Sequence, residues 1–424
     1  MKNSGVRWLG MIPKAWDLDK IVSLYSERST KVSDRDYPAL SVTKQGIVPQ
    51  LESAAKTDNG DNRKLIKKND FVINSRSDRR GSCGISEYEG SCSLINIVLA
   101  PKNNMVNQYY NYLFKTELFA DEFYKWGNGI VDDLWSTKWS SMKNIMVPFP
   151  PLEEQRIIAD YLDTKCTQID TIIAKEQSVI EKLQEYKRAI ITNAVVKGLD
   201  LTVEMVDSGI EWIDSIPNHW KIKRLIFSAY IRARLGWKGL KADEYTSEGH
   251  PFLSAVNIQN DKLVWEDLNF INDNRYDESP EIQLELGDLL LVKDGAGIGK
   301  CAVVDQLPYG TATTNSSLGV ITPYPELNSM YLYYFFESAI FQNYISRIKN
   351  GMGVPHLTQG NLKNIMVVIP PYCEQEAIVA YLDKKCSNLD SIILKKQSLI
   401  NKLIEYKQSL IYEVVTGKKE VPHV

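Results

Sequence analysis

Residues 150–163 read PPLEEQRIIADYLD, and residues 370–383 read PPYCEQEAIVAYLD. The likeness runs on: between 150–195 and 370–415, at a constant offset of 220, 24 of 46 positions are identical. Neither segment holds a glycine, or a proline beyond its opening pair, so each reads as one long helix. The prolines suit a helix start, and Glu153, Glu154 and Glu374 suit the positive end of its dipole. Lys197-Gly198 and Gly417-Lys418 read as stops. Apolar residues recur at coiled-coil spacing. The expected seam holds Leu162, Ile169, Ile173, Ile180 and Leu183 in the first copy, and Leu382, Leu389, Ile393, Ile400 and Leu403 in the second. It is polar at Glu176 and Lys187, and at the same places in the second copy, Lys396 and Lys407. A helix of this length, roughly 69 Å at 1.5 Å per residue, needs a partner, and its own copy is the natural one. In an antiparallel pair Glu176 and Lys396 would face each other near the midpoints; the alternative is two long side chains reaching to solvent.

A second repeat frames the first. SGVRWLGMIPKAW (4–16) returns as SGIEWIDSIPNHW (208–220), directly after the first helix. The order is therefore element, domain, helix, element, domain, helix. The expected blocks are a first domain over 1–149, a helix over 150–198, a second domain over 199–369, and a helix with its tail over 370–424. Short β-rich runs such as DFVIN, LINIVLA, DLLLV and LGVIT mix with helical patches in both domains. NDFVINS (69–75) matches GDLLLVK (287–293), and SMKNIMVPFPP (141–151) matches NLKNIMVVIPP (361–371). The expected fold class is α/β: two mixed α/β domains joined by two long antiparallel coiled-coil helices in a pseudo-two-fold, circular arrangement.

Composition sets the class of molecule. At 424 residues, 44% apolar and 24% charged, the chain reads as ordinary globular domains. No apolar run reaches the length of a membrane span, and the N-terminus lacks the apolar core of a signal peptide. Six cysteines without a CxxC pair, and only four histidines, speak against structural zinc and for reduced thiols in the cytoplasm. The net charge of −3 conceals two basic clusters. Residues 221–241 carry seven Lys or Arg and no acid, and 63–80 carry seven against Asp70 and Asp78. Such clusters serve phosphate neutralisation or a solvated face.

Tempting catalytic motifs fail on inspection. DGAGIGKCAVV (294–304) has Asp294 where a phosphate loop needs its first Gly and Cys301 where it needs a hydroxyl. Its glycines lead into a strand pattern rather than a helix, so a turn between strands is the better reading. IPPY (369–372) resembles the Pro-Pro motif of amino-methyltransferases, but Ile369 cannot accept a hydrogen bond from a target amine. No Ser/His/Asp or metal constellation stands out. The chain is expected to be non-catalytic.

Two diverged domains, each followed by a PP-x-x-EQ…YLD…EYK helix and framed by a repeated SG-x-x-W-x-x-x-IP-x-x-W element, resemble the specificity subunit of Type I restriction–modification systems. The carrying residues are Pro150-Pro151 with Glu154-Gln155, Pro370-Pro371 with Glu374-Gln375, Gly287 to Leu291, Asp294-Gly295 and Gly299-Lys300. The first domain departs from the pattern, with SRSDRRGSCG (75–84) in place of KDG-x-x-GK. The resemblance implies a DNA-reading subunit whose two target-recognition domains each read half of a split, asymmetric site in double-stranded DNA. It implies a helix pair that sets the gap, two docked methyltransferase subunits, and two endonuclease/translocase subunits that can join. S-adenosylmethionine, ATP and Mg²⁺ would belong to those partners, none being bound by this chain. The candidate DNA-binding residues are Arg76, Arg79 and Arg80 in the first domain, and Arg232, Arg234, Trp237, Lys238, Asn257, Lys293, Lys300 and His356 in the second. A self-sufficient methyltransferase–nuclease and a two-armed protein scaffold without DNA affinity are the rival readings.

Overall fold

The computed structural model describes residues 1–51, 60–129, 135–233, 244–260, 262–295, 297–350 (backbone alone at 348–350) and 356–422. The chain divides into two compact units, Met1–Gln177 with Ser398–Val424, and Ser178–Gln397. The division falls inside both long helices, Leu152–Lys197 and Tyr372–Val415. Each unit therefore owns one mixed α/β domain, a segment of one helix and a segment of the other.

In the first unit, strands Cys83–Ile85, Phe71–Asn74, Asn96–Pro101 and Tyr25–Glu27 form an antiparallel sheet in that order. All four residues of Phe71–Asn74 are buried, because the sheet is covered on both faces. Phe71, Ile73, Ile97 and Leu99 pack against helical residues including Tyr110, Phe114 and Leu162. Val72 and Val98 turn the other way, onto Leu40, Ile47 and Ile66 of a smaller β layer.

The second unit repeats this plan. Strands Cys301–Val303, Leu289–Val292, Leu318–Pro323 and Ala229–Arg232 take the same order and the same antiparallel sense. Leu289 and Leu291 face the helices, while Leu290 and Val292 face Leu253, Ile258 and Leu284. The units differ in that smaller layer. The first builds it from Arg63–Ile66, Gly90–Cys92 and Lys31–Val32, the second from His250–Leu253, Asn269–Ile271 and Thr313–Thr314. The glycine-rich run after Val292 joins two antiparallel strands, with Gly295 and Gly299 at φ +78° and +91°.

The repeated helix motif has a physical job at each position. Gln155 and Gln375 are fully buried. The Gln155 side chain accepts from the Val106 N–H at 2.9 Å and donates to the Pro150 carbonyl at 2.8 Å. Gln375 accepts from the Asn328 N–H at 2.8 Å and donates to the Pro370 carbonyl at 2.9 Å. Each glutamine thus ties the start of its long helix to the start of a domain helix. Asp163 and Asp383 accept from Tyr112 and Tyr334, at 2.6 and 2.7 Å. Burial and those carboxylates both push the phenol pKa values up, so the tyrosines stay donors. Tyr109 donates to the Val415 carbonyl at 2.7 Å in the first unit, and Tyr331 to the Val195 carbonyl at 3.0 Å in the second. In each unit, then, the end of one long helix meets the same domain helix as the start of the other, which makes the pairing antiparallel.

Among the seam residues, Leu162, Ile169, Ile180, Leu382, Leu389 and Ile400 are buried, and Ile173, Leu183, Ile393 and Leu403 are half-buried. Two of the four polar breaks, Lys187 and Lys407, find partners within their own units. Lys407 pairs with Asp170 at 2.6 Å, and Lys187 with Asp390 at 2.8 Å, the same pair built twice by the 220-residue offset. Glu176 and Lys396 are half-buried and belong to different units. The second repeat closes the helix ends. An added Cβ at Gly417 (φ +69°) would meet Trp16 at 3.0 Å, and one at Gly198 (φ +75°) would meet Trp220 at 3.0 Å. The second tryptophan of each repeated element, the one that closes IP-x-x-W, therefore lies on the glycine that ends a long helix.

Replacing Gln155 with Leu leaves the Val106 N–H and the Pro150 carbonyl buried without partners. The expected cost is about 2–3 kcal/mol of stability, read as a lower urea midpoint; a change under about 0.5 kcal/mol would contradict the tie.

Candidate nucleic-acid interface

Both units place a short connection after the central strand, and six of the candidate residues gather there: Arg76, Arg79 and Arg80 in the first, Lys293, Lys300 and His356 in the second. In the first unit, Phe71–Asn74 is followed by the buried Ser75, the half-buried Arg76 and a 3₁₀ turn over Ser77–Arg79. The Ser75 carbonyl accepts from the Thr137 N–H at 3.0 Å, and Arg76 pairs with Ser136 in a single antiparallel bridge. Arg76 and Lys64 line a cleft of about 480 Å³ with Glu27, Ile95, Asn96 and Lys138. Arg79 lines an adjoining cleft of about 530 Å³ with Lys44, Gln50 and Asn74. Ile95 and Asn96 belong to both. The Asn96 Oδ1 is buried there without a hydrogen-bond partner among the described residues. Apart from its long contact with Asp78 at 3.5 Å, the Arg79 side chain is largely exposed. Arg80 is tied to Asp121 and to the Glu117 carbonyl.

In the second unit the equivalent connection carries Lys293, Asp294 and Lys300. The Lys293 carbonyl accepts from the Leu357 N–H at 2.9 Å, and Asp294 pairs with His356 in a single antiparallel bridge. The Asp294 carboxylate is in close contact with the His356 ring. Lys300 is exposed. Lys293 is buried, and desolvation pulls its pKa down against the opposing pull of Asp294. A buried cation is a stability cost that function can explain. Replacing Lys293 with Met is expected to raise the melting temperature at neutral pH. A lowered folded pKa means that the cost is full below that value and vanishes above the ordinary value of 10.5. The gain should therefore fade in alkaline buffer; an equal gain at pH 7 and pH 11 would contradict this origin.

Two expected DNA contacts hold the fold instead. Arg232 has a side chain only 10% exposed and is ion-paired with the fully buried Asp288. Arg28 does the same in the first unit, meeting Asp70 at 2.7 Å. The two arginines are 204 residues apart and the two aspartates 218, so the fold builds this clamp twice. Burial raises the Asp288 pKa, while hydrogen bonds from Thr322 and the Glu285 N–H and the charge of Arg232 lower it. Asn257 is buried in a capping box, its Oδ1 accepting from the Ser254 N–H at 2.9 Å. Arg234, Trp237 and Lys238 lie outside the described residues. Sequence reading missed Lys64, Lys138, Asn74 and Asn96 as cleft residues, because three strands and a helix start distant in sequence bring them together.

A larger cleft of about 810 Å³ in the second unit lies elsewhere, lined by Lys187, Lys262, Glu337, Cys386, Asp390 and Leu394 among others. Among the described residues no cluster of His, Cys, Asp and Glu is placed to hold a metal ion. No described helix is long and apolar enough to cross a membrane.

Two copies of one sheet scaffold, each presenting a polar connection beside charged side chains and each joined to segments of both long helices, define a duplicated α/β module. The chain belongs to the Type I restriction modification DNA specificity domain family, whose model matches it twice, at residues 26–182 and 236–403. It is 25% identical over 341 residues to the Type I restriction enzyme MjaVIII specificity subunit of Methanocaldococcus jannaschii, covering 78% of this chain and 76% of that one. It is 24% identical to the EcoKI specificity subunit of Escherichia coli K12, covering 77% and 70%. By structure it resembles a chain solved in work on assembly and conformational transition of the type I R-M system, with a TM-score of 0.74, 14% identity, and coverage of 96% and 100%. The HsdS subunit of Thermoanaerobacter tengcongensis gives 0.52 at 15% identity, covering 96% and 98%. At these identities the structural likenesses speak for the fold alone.

Proposed function

We propose that this chain is the non-catalytic specificity subunit of a Type I restriction–modification complex, in which each domain reads one half of a split, asymmetric target in double-stranded DNA. The observation that carries the reading is duplication with divergence. Sheet order, Arg–Asp clamp, glutamine tie and helix pairing are the same in both units, whereas the residues at the polar connection differ: Arg76 and Ser136 in one, Asp294 and His356 in the other. A shared scaffold with unlike presented side chains suits two different half-sites. The helix pair sets the gap between them.

The same symmetry supports docking of two copies of one partner. The first unit exposes Ile172, Leu399 and Tyr406, and the second exposes the equivalent Ile392, Val179 and Tyr186. Apolar residues in register on otherwise polar helices suit methyltransferase subunits, one per set, with endonuclease/translocase subunits joining beyond them. S-adenosylmethionine, ATP and Mg²⁺ act in those partners.

The test is a mobility shift with the full chain and its methyltransferase subunits. Binding to one duplex should withstand unrelated competitor DNA and fall steeply with added salt. Equal competition by every sequence would turn the reading toward a scaffold without specificity.

A further inference from the structure

The junction after the central strand is built identically in the two domains, yet it presents side chains of opposite hydrogen-bonding character. Arg76 and Asp294 each sit two residues beyond the central strand of the same antiparallel sheet. Each pairs with the residue one position before a backbone N–H, that of Thr137 or Leu357, that donates to the carbonyl just upstream. Those partners, Ser136 and His356, each stand three residues before a short helix, Trp139–Met142 or Gln359–Lys363. The two positions are thus equivalent by register. Arg76 is a donor only; its guanidinium makes no hydrogen bond or ion pair among the described residues, although the side chain is half-buried beside a cleft. Asp294, when ionised, is an acceptor only and remains partly exposed beside His356.

We propose that this position is a specificity determinant in both domains and works with opposite polarity: Arg76 reads the O6/N7 edge of a guanine, and Asp294 reads the exocyclic amino group of a cytosine or an adenine. The inference rests on the functional reading above. A fork of donors matches the two acceptors of guanine, and a carboxylate matches an amino group in the major groove. A bare carboxylate at DNA would be repelled by phosphates whatever the sequence. His356 supplies the compensating contact and holds the Asp294 carboxylate in place. Ser136 has no such task, because Arg76 is attracted to the duplex already.

The experiment offers the full chain, with its methyltransferase subunits, a pool of duplexes randomised across both half-sites, and sequences the bound fraction. Wild type should require guanine at one position of the first half-site and an amino-bearing base at one position of the second, and that base distinguishes cytosine from adenine. Arg76→Asp with Ser136→His should convert the guanine position to cytosine or adenine and leave the second half-site alone. Asp294→Ala, which removes the acceptor altogether, should relax one position of the second half-site, by about tenfold to a hundredfold in discrimination, with little change in melting temperature. Uniform weakening for all sequences would make these residues phosphate contacts and overturn the proposal, as would unaltered preferences in both variants. A wild-type complex that selects no split motif would overturn the functional reading and this inference with it.

Discussion

Replacing Asp288 with Ala should destabilise the second unit by about 3–5 kcal/mol, the cost of leaving a buried charge without its partner. Asp288 is fully buried, and Arg232 is nearly so. The Arg232 Nε already lacks a hydrogen-bond partner among the described residues. Without the carboxylate the guanidinium keeps, among the described residues, the Gln283 carbonyl at 3.2 Å and the face of Tyr230. Thr322 and the Glu285 N–H lose their acceptor at the same time. The equivalent change of Asp70 should cost less, because Arg28 is more exposed and can turn its charge toward water. Replacing Asp288 and Arg232 together with apolar residues should recover much of the loss. Chemical unfolding of the three variants checks all of this; an Asp288→Ala protein within about 1 kcal/mol of wild type would contradict the clamp.

Inserting four residues into each long helix at matched points, after Gln177 and Gln397, should lower affinity for the native target by about 10³-fold or more, toward the non-specific level. Four residues add about 6 Å of helix, which corresponds to one or two base pairs of DNA. A target whose gap is longer by that amount, with both half-sites unchanged, should recover binding. If the insertion variant still preferred the native gap, the helices would not be the spacer.

The long helices were legible in the sequence because periodicity and repetition are local signals, and the 46- and 44-residue helices follow the quoted stretches. The duplicated sheet was visible only as NDFVINS beside GDLLLVK. Its outer strands, Tyr25–Glu27 and Ala229–Arg232, pair with segments some 70 to 90 residues away, and no local pattern announces such a partner. Arg232 misled for a related reason. The acid-free run 221–241 suggests a basic surface, but a strand sends alternate side chains to opposite faces, and Asp288 waits 56 positions further on. Arg28 with Asp70, at matching places in the first domain, was the signal that would have found the clamp. Asn257 follows Ser254 by three residues, a capping pattern that outweighs its suitability for reading adenine. The role of Gln155 and Gln375 was hidden because their partners, Val106 and Asn328, belong to other helices.

The most direct test of two domains reading one split target is a genome-wide map of N6-methyladenine in cells that hold the partner methyltransferase, with and without this gene. A bipartite motif with a fixed gap that appears only with the gene is the predicted result. Methylation of the same sites in both strains, or a gene-dependent motif of one uninterrupted half-site, would contradict it.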